Sequence, residues 1–281
     1  MLIAIFMFAP IFTYADSIIN NNGIEISEEE YNNFIQIHTH EYIMTMNEEQ
    51  YEKLQSLDYS NIVTETKYIA TTYNRSLNIV TEREISEAEY ENFLEGGYIE
   101  NIGGDGLNLS NGAIYYETSA KKLNMVLIGG NIYNYVTLTA TWKYIPSTRS
   151  FDVIGFRGYG LDFRDGSQSG MQIYIDSSGN YNTINYSWNG TNIKRFSNGF
   201  GISMNIVNSS IQALQLIVDC DVSPTMSTPE IFGSYQHAVS SVSLANSQNY
   251  TLGGSGLGNV FVYPYNIAQK YDGMSGVSLS Y

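Results

Sequence analysis

Val136-Thr-Leu-Thr-Ala-Thr-Trp-Lys-Tyr144 alternates without error: Val136, Leu138, Ala140, Trp142 and Tyr144 fall on one face, and Thr137, Thr139, Thr141 and Lys143 on the other. A period of two is the pleat of a β-strand, and one apolar face opposite a polar one marks a half-buried antiparallel strand. The same reading extends in both directions. Met171–Asp176 and Tyr181–Trp188 flank Ser177-Ser-Gly-Asn180 as a hairpin, and Asn189-Gly190 is the tightest hairpin signal, leading into Thr191–Phe196. Further strands are expected at Ala113–Glu117, Leu123–Ile128, Phe151–Phe156, Phe200–Ile206, Ile211–Val222, Ile231–Val242 and Val260–Tyr263. Many short strands separated by Gly, Asn and Ser turns, with little helix, predict an antiparallel β-sandwich or jelly roll over residues 107–281.

Upstream the period changes. Ile26-Ser-Glu-Glu-Glu-Tyr-Asn-Asn-Phe34 recurs as Ile85-Ser-Glu-Ala-Glu-Tyr-Glu-Asn-Phe93, and more loosely as Met46-Asn-Glu-Glu-Gln-Tyr-Glu-Lys-Leu54. Each copy has an N-cap residue (Ser27, Ser86, Asn47) and, three positions on, Glu30, Glu89 or Gln50, the capping box that satisfies two orphan backbone donors reciprocally. Three short helices follow from that pattern. Ile62–Tyr73 and Leu77–Arg83 read as strands joined at Asn74-Arg75-Ser76, so residues 16–100 are expected to form an acidic α+β module. Gly96-Gly97 and Gly103-Gly-Asp-Gly106 mark its end.

Leu2–Ala15 is an apolar run too short to span a bilayer, ending in a small residue before Asp16, which is the form of a secretory signal. No Lys or Arg precedes it, which points to a start codon upstream. The expected location is extracellular, secreted or retained at the cell surface, without a transmembrane anchor. The lone Cys220 removes an internal disulfide framework, and its phase with Leu216, Val218 and Val222 makes it a buried small hydrophobe.

The net charge of −15 is unevenly placed. Asp16–Glu100 holds 18 acidic residues against Lys53, Lys67, Arg75 and Arg83, whereas the remainder of the chain is nearly balanced. No basic face is available for phosphate, so nucleic acid is excluded as a partner.

Candidate chemistry is sparse. His38 and His40 at i, i+2 suit strand-type chelation but read as an ordinary junction. Asp219 and Asp221 point the same way from one strand and are weak metal candidates; calcium is conceivable without a motif, and no cofactor is expected. Gly253-Gly-Ser-Gly-Leu-Gly258 precedes a strand rather than a helix, so it reads as a turn, not a phosphate loop. Ser234 and His237 lack a recognisable acid and oxyanion setting, and no catalytic residue is nominated. Tyrosines among Asn, Gln and Ser offer apolar area with a polar tip, which suits extracellular recognition. Tyr235, Gln236, His237, Tyr263 and Tyr265 are the ligand-binding residues this suggests.

Ile26–Phe34, Thr141-Trp-Lys-Tyr-Ile-Pro-Ser-Thr-Arg-Ser150, Tyr235-Gln-His-Ala238 and Lys270-Tyr-Asp-Gly-Met-Ser-Gly-Val277 together resemble a set of uncharacterised exported proteins of low-GC Gram-positive bacteria. The resemblance implies bacterial export and nothing catalytic. The expected function is a non-enzymatic, adhesin- or lectin-like binding protein for an extracellular glycan or protein. A secreted toxin or bacteriocin-like effector is the alternative, followed by a secreted hydrolase. A binder calls for an aromatic patch, a toxin for a long hairpin able to leave its sheet, and an enzyme for a concave site around His237 or paired carboxylates.

Overall fold

The computed structural model describes residues 17–74, 79–93, 96–100, 114–130, 132–253, 260–273 and 275–280. The signal-like run, Gly103–Gly106 and residues 254–259 of the glycine run lie outside the described residues. The chain divides into two units, meeting in sequence at Ser56 and Leu57.

The first unit contains β1 (Ser17–Ile19), β2 (Glu25–Ser27), α1 (Glu28–Phe34), α2 (His40–Thr45) and α3 (Glu48–Gln55). Both expected capping boxes form here, Ser27 with Glu30 and Asn47 with Gln50. Ile26, Tyr31, Phe34, Ile37, Ile43, Met46 and Leu54 are buried. Asn20 Nδ2 donates to the Ile43 and Met46 carbonyls, closing the C-terminal end of α2. The helix α2 lacks the repeat signature and begins instead on Thr39, whose side chain accepts from the Tyr42 N–H.

The second unit begins with β3 (Leu57–Asn74), β4 (Ile79–Ile85), α4 (Glu87–Glu91), β5 (Gly96–Glu100), β6 (Ile114–Gly130), β7 (Asn134–Trp142) and β8 (Phe151–Tyr159). It continues with β9 (Leu161–Phe163), β10 (Ser169–Asp176), β11 (Tyr181–Ser187), β12 (Ile193–Phe196), β13 (Gly199–Asn205), β14 (Ile211–Pro224) and β15 (Glu230–Gln236). The last elements are α5 (Leu244–Ser247), β16 (Thr251–Leu252), β17 (Phe261–Val262), α6 (Tyr265–Ala268) and β18 (Ser275–Ser280). The third capping box, Ser86 with Glu89, starts α4.

One nine-stranded sheet runs β11-β10-β14-β7-β6-β3-β4, with β5 added on β6 and β9 on β14; a five-stranded sheet runs β12-β13-β8-β15-β18. Leu123, Met125, Val136, Leu138, Leu216 and Val218 from the first sheet and Ile154, Phe156, Ile202, Ile231, Tyr235 and Val277 from the second form one buried core. The architecture is antiparallel and sandwich-like. Cys220 lies in this core, as its phase predicts.

The structure departs from the sequence reading in three places. The polar face of β7 is covered too: Thr137 and Thr139 are buried beside Val126 and Ile217, because β7 is a central strand of a wide sheet. Asn189-Gly190 does not close a hairpin, since β11 pairs with β10 in one sheet and β12 with β13 in the other. The expected strand to Val242 stops at Gln236, where the His237 N–H turns to Asp272 Oδ1 and the Ala238 N–H to Asp152 Oδ1. The segment beyond it packs Ala238, Val242, Tyr250, Phe261, Ile267 and Tyr271 over the outer face of the five-stranded sheet, against Val153 and Phe232. Gly201 permits that approach, since a Cβ there would collide with Tyr250 Oη.

Candidate functional site

Trp142, Tyr235 and His237 meet where β7 and β15 end. The Trp142 indole N–H donates to Tyr235 Oη at 2.8 Å, and the Tyr235 hydroxyl donates to Asp152 Oδ2. His237 Nδ1 lies 2.9 Å from the same Asp152 oxygen, and its ring meets the Trp142 ring edge-on at 5.1 Å. Asp152 is an acid placed inside the apolar run Phe151–Phe156, and its carboxylate is filled by these groups and the Ala238 N–H.

A second buried charge cluster adjoins the first. Lys121 Nζ, fully buried, sits 2.5 Å from Asp272 Oδ2 and 2.6 Å from Glu82 Oε1. It also lies over the Trp142 and Tyr235 rings, 5.5 and 5.2 Å from their centroids. Asp272 Oδ1 takes the His237 N–H, so the two clusters form one chain of contacts from edge strand β4 to β8.

The electrostatics follow the geometry. Burial pulls the His237 imidazole down, but the hydrogen-bonded Asp152 carboxylate, helped by Asp272, outweighs it and the net shift is upward. Burial, then Asp152, holds the Tyr235 phenol well above 10. Burial pushes the Asp272 carboxyl up to about 8 against the pull of Lys121.

A small, open pocket of about 40 Å³ lies over this network, lined by Trp142 and His237 together with Thr71, Ser147, Thr148 and Val239 among others. His237 Nε2 makes no hydrogen bond among the described residues, while Nδ1 is held by Asp152. The ring thus presents one free nitrogen at the pocket wall. The Asp–His pair supplies two of the three members of a hydrolytic triad, and among the described residues no hydroxyl is bonded to its outer nitrogen.

The nominated binding residues are dispersed. Tyr235 and Gln236 are buried, and His237 is 5% exposed at the pocket. Tyr263 belongs to the outer layer, its hydroxyl donating to the Ser247 carbonyl and its ring stacked on Tyr271 at 4.9 Å. Tyr265 opens α6 and is 80% exposed. Asp219 accepts from Ser169 Oγ, Asp221 pairs with Arg164 at 3.2 Å, and no group of three or more metal-ligating side chains forms among the described residues. His38 stacks on Tyr42, and His40 Nδ1 meets Tyr31 Oη at 3.0 Å. Burial, with Lys53 adding, lowers His38 to about 3. Sequence reasoning missed Lys121, Asp152 and Asp272; only Asp152, a single charge inside the apolar run Phe151–Phe156, carried a local signal.

Two further features lie outside the pocket. β3 and β6, 18 and 17 residues long, pair from Leu57 opposite Gly130 to Asn74 opposite Tyr116 with a bulge between Asp58 and Ile62, whereas β7 pairs with β6 only from Lys121 to Ile128. Beyond Lys121 the sheet continues as β5-β6-β3-β4. At the opposite end of the sandwich, four turns each carry an exposed apolar residue: Ile132 before β7, Tyr159 before β9, Trp188 after β11 and Met226 after β14. Register places these turns together, with Asn134 opposite Val222, Leu161 opposite Pro224 and Tyr159 opposite Glu230. Arg164 lies over Tyr133 and Arg195 over Trp188 at this end, at 4.8 and 5.3 Å. No helix among the described residues is long and apolar enough to cross a membrane, which leaves strands unaddressed.

No protein-family model matches the chain, and a search of curated proteins gives no match. Among solved structures, one titled "Pore forming protein" is similar at 12% identity and TM-score 0.22, over 42% of this chain and 74% of that one. A second, "Clostridium perfringens delta-toxin", is similar at 8% identity and TM-score 0.22, over 42% of this chain and 73% of that one. At that TM-score the likenesses carry no weight for fold or function.

Proposed function

We propose that the chain is a secreted effector that acts on membranes with β-strands. The observation that carries this reading is the β3–β6 ladder. A membrane-spanning strand needs about 9–11 residues, and these strands run 18 and 17 residues. At about 3.3 Å per residue they are far longer than sandwich packing requires. Beyond Lys121, β6 exchanges β7 for the short β5 as its neighbour, and β6 and β4 are tied to the C-terminal segment through Lys121, Glu82 and Asp272. Backbone groups in lipid must be paired, and a closed array of such strands meets that demand. The exposed Ile132, Tyr159, Trp188 and Met226 supply apolar and aromatic tips suited to a bilayer interface.

The test is dye release from lipid vesicles, with a lock on β4. A Cβ on Gly273 lies 3.5 Å from Glu82 Cγ, so E82C/G273C is placed to bridge β4 to the C-terminal segment. Release by the native chain and the reduced variant, but not by the oxidised one, is the expected result. Equal release by the oxidised form, or none by the native chain on any vesicle composition, sinks the reading.

A second reading, a non-enzymatic binding protein for a glycan or protein, is favoured by the pocket over His237.

A further inference from the structure

We infer that the pocket beside Trp142 and His237 binds a neutral, hydroxylated ring, the pyranose of a carbohydrate. The inference deepens the binding reading and stands apart from membrane action.

His237 is held in place from behind: its Nδ1 faces Asp152, its backbone N–H is taken by Asp272, and its ring abuts Trp142. Hydrogen-bonding to a carboxylate fixes the proton on Nδ1, which leaves Nε2 as the group offered to a ligand. A neutral imidazole offers a lone pair there and a protonated one offers N–H. A hydroxyl serves both, because it is donor and acceptor at once. The remaining wall includes Trp142, Pro146 and Val239, apolar surfaces suited to the C–H face of a sugar ring, with Ser147 and Thr148 also lining the pocket.

Charge selects against an anion. Asp152, Asp272 and Glu82 stand against Lys121 and His237 in this network, with Tyr235 held neutral among them. An anionic ligand finds no unpaired cation here, because Lys121 is already held by Asp272 and Glu82, and His237 by Asp152.

Histidine side-chain NMR tests this directly, since the chain has three histidines. The protein is titrated with glucose, galactose, N-acetylglucosamine and N-acetylgalactosamine, with acetate as the anion control. At least one sugar is expected to shift the His237 signals saturably while His38 and His40 stay unmoved. Ser147 is exposed, so S147F is expected to fold with unchanged His38 and His40 signals and to lose the response. The inference is overturned by no response to any of the four sugars, by a response that survives S147F, or by a stronger response to acetate. The responding sugar is then presented on albumin and on lipid, which separates a glycoprotein source from a glycolipid one. Leakage from sugar-free vesicles is measured in parallel, and S147F is expected to leave it unchanged, so the two readings fail separately.

Discussion

Lys121 and Asp272, 151 residues apart in sequence, form a fully buried ion pair with Nζ and Oδ2 at 2.5 Å. The pair joins β6 of the wide sheet to the segment that precedes β18, and Glu82 brings the edge strand β4 into it. A buried pair is a weak source of net stability, but removing one partner leaves an uncompensated charge. Its worth here is positional, since it fixes which strand lies next to which closing segment.

Replacing Lys121 by Met is therefore expected to destabilise the second unit by about 3–5 kcal/mol. The triple variant K121M/E82Q/D272N, which removes the stranded carboxylates, is expected to regain a large part of that loss. Urea unfolding followed by near-UV circular dichroism decides it, and an equal loss in both variants refutes the account.

His237 sets a pH dependence whose sign is fixed. Its folded pKa lies above the ordinary 6.5, because the Asp152 carboxylate outweighs the effect of burial. Its contribution is complete below 6.5 and is lost as pH rises through the raised folded value. The thermal midpoint of the second unit should fall across that window, and H237N should flatten the fall. A midpoint that rises with pH there contradicts the assignment.

Y235F removes the acceptor of the Trp142 indole N–H and one donor to Asp152. A buried donor left unpaired costs about 1–3 kcal/mol. F232L, which alters an apolar contact on the outer face, is the comparison: equal losses would show that Tyr235 acts by packing alone.

Trp188 reports on the loop end. Trp142 is buried and Trp188 is 43% exposed, so a blue shift of the exposed tryptophan on adding vesicles reads contact at Ile132, Tyr159, Trp188 and Met226. W188A should abolish the shift, and I132S/M226S should weaken vesicle binding several-fold. An unshifted emission with bound protein places the contact elsewhere.

Local rules carried a large part of the architecture. The alternation of Val136–Tyr144 placed β7, and the repeated Ser-x-x-Glu and Asn-x-x-Gln boxes placed α1, α3 and α4, because capping and pleat are satisfied within a few residues. The phase of Cys220 with its neighbours gave its burial for the same reason. What local rules do not encode is which strand pairs with which. Asn189-Gly190 is a hairpin sequence that links two sheets, and β15 ends where Asp152 and Asp272 capture two backbone N–H groups from distant positions.

The site divides along the same line. His237 was legible as a rare titratable residue, but its partners Asp152, Lys121, Glu82 and Asp272 come from four separate segments. Asp152 stands alone in an apolar run, but Lys121 sits beside Lys122 and Glu82 beside Arg83 and Glu84, and no spacing links any of the four to the others. Sequence alone determined a β-rich chain with capped acidic helices, because those features depend on neighbours in the chain. Only tertiary structure decided the buried charge network and the pocket above it, because burial makes a charge find its partner across space rather than along the chain.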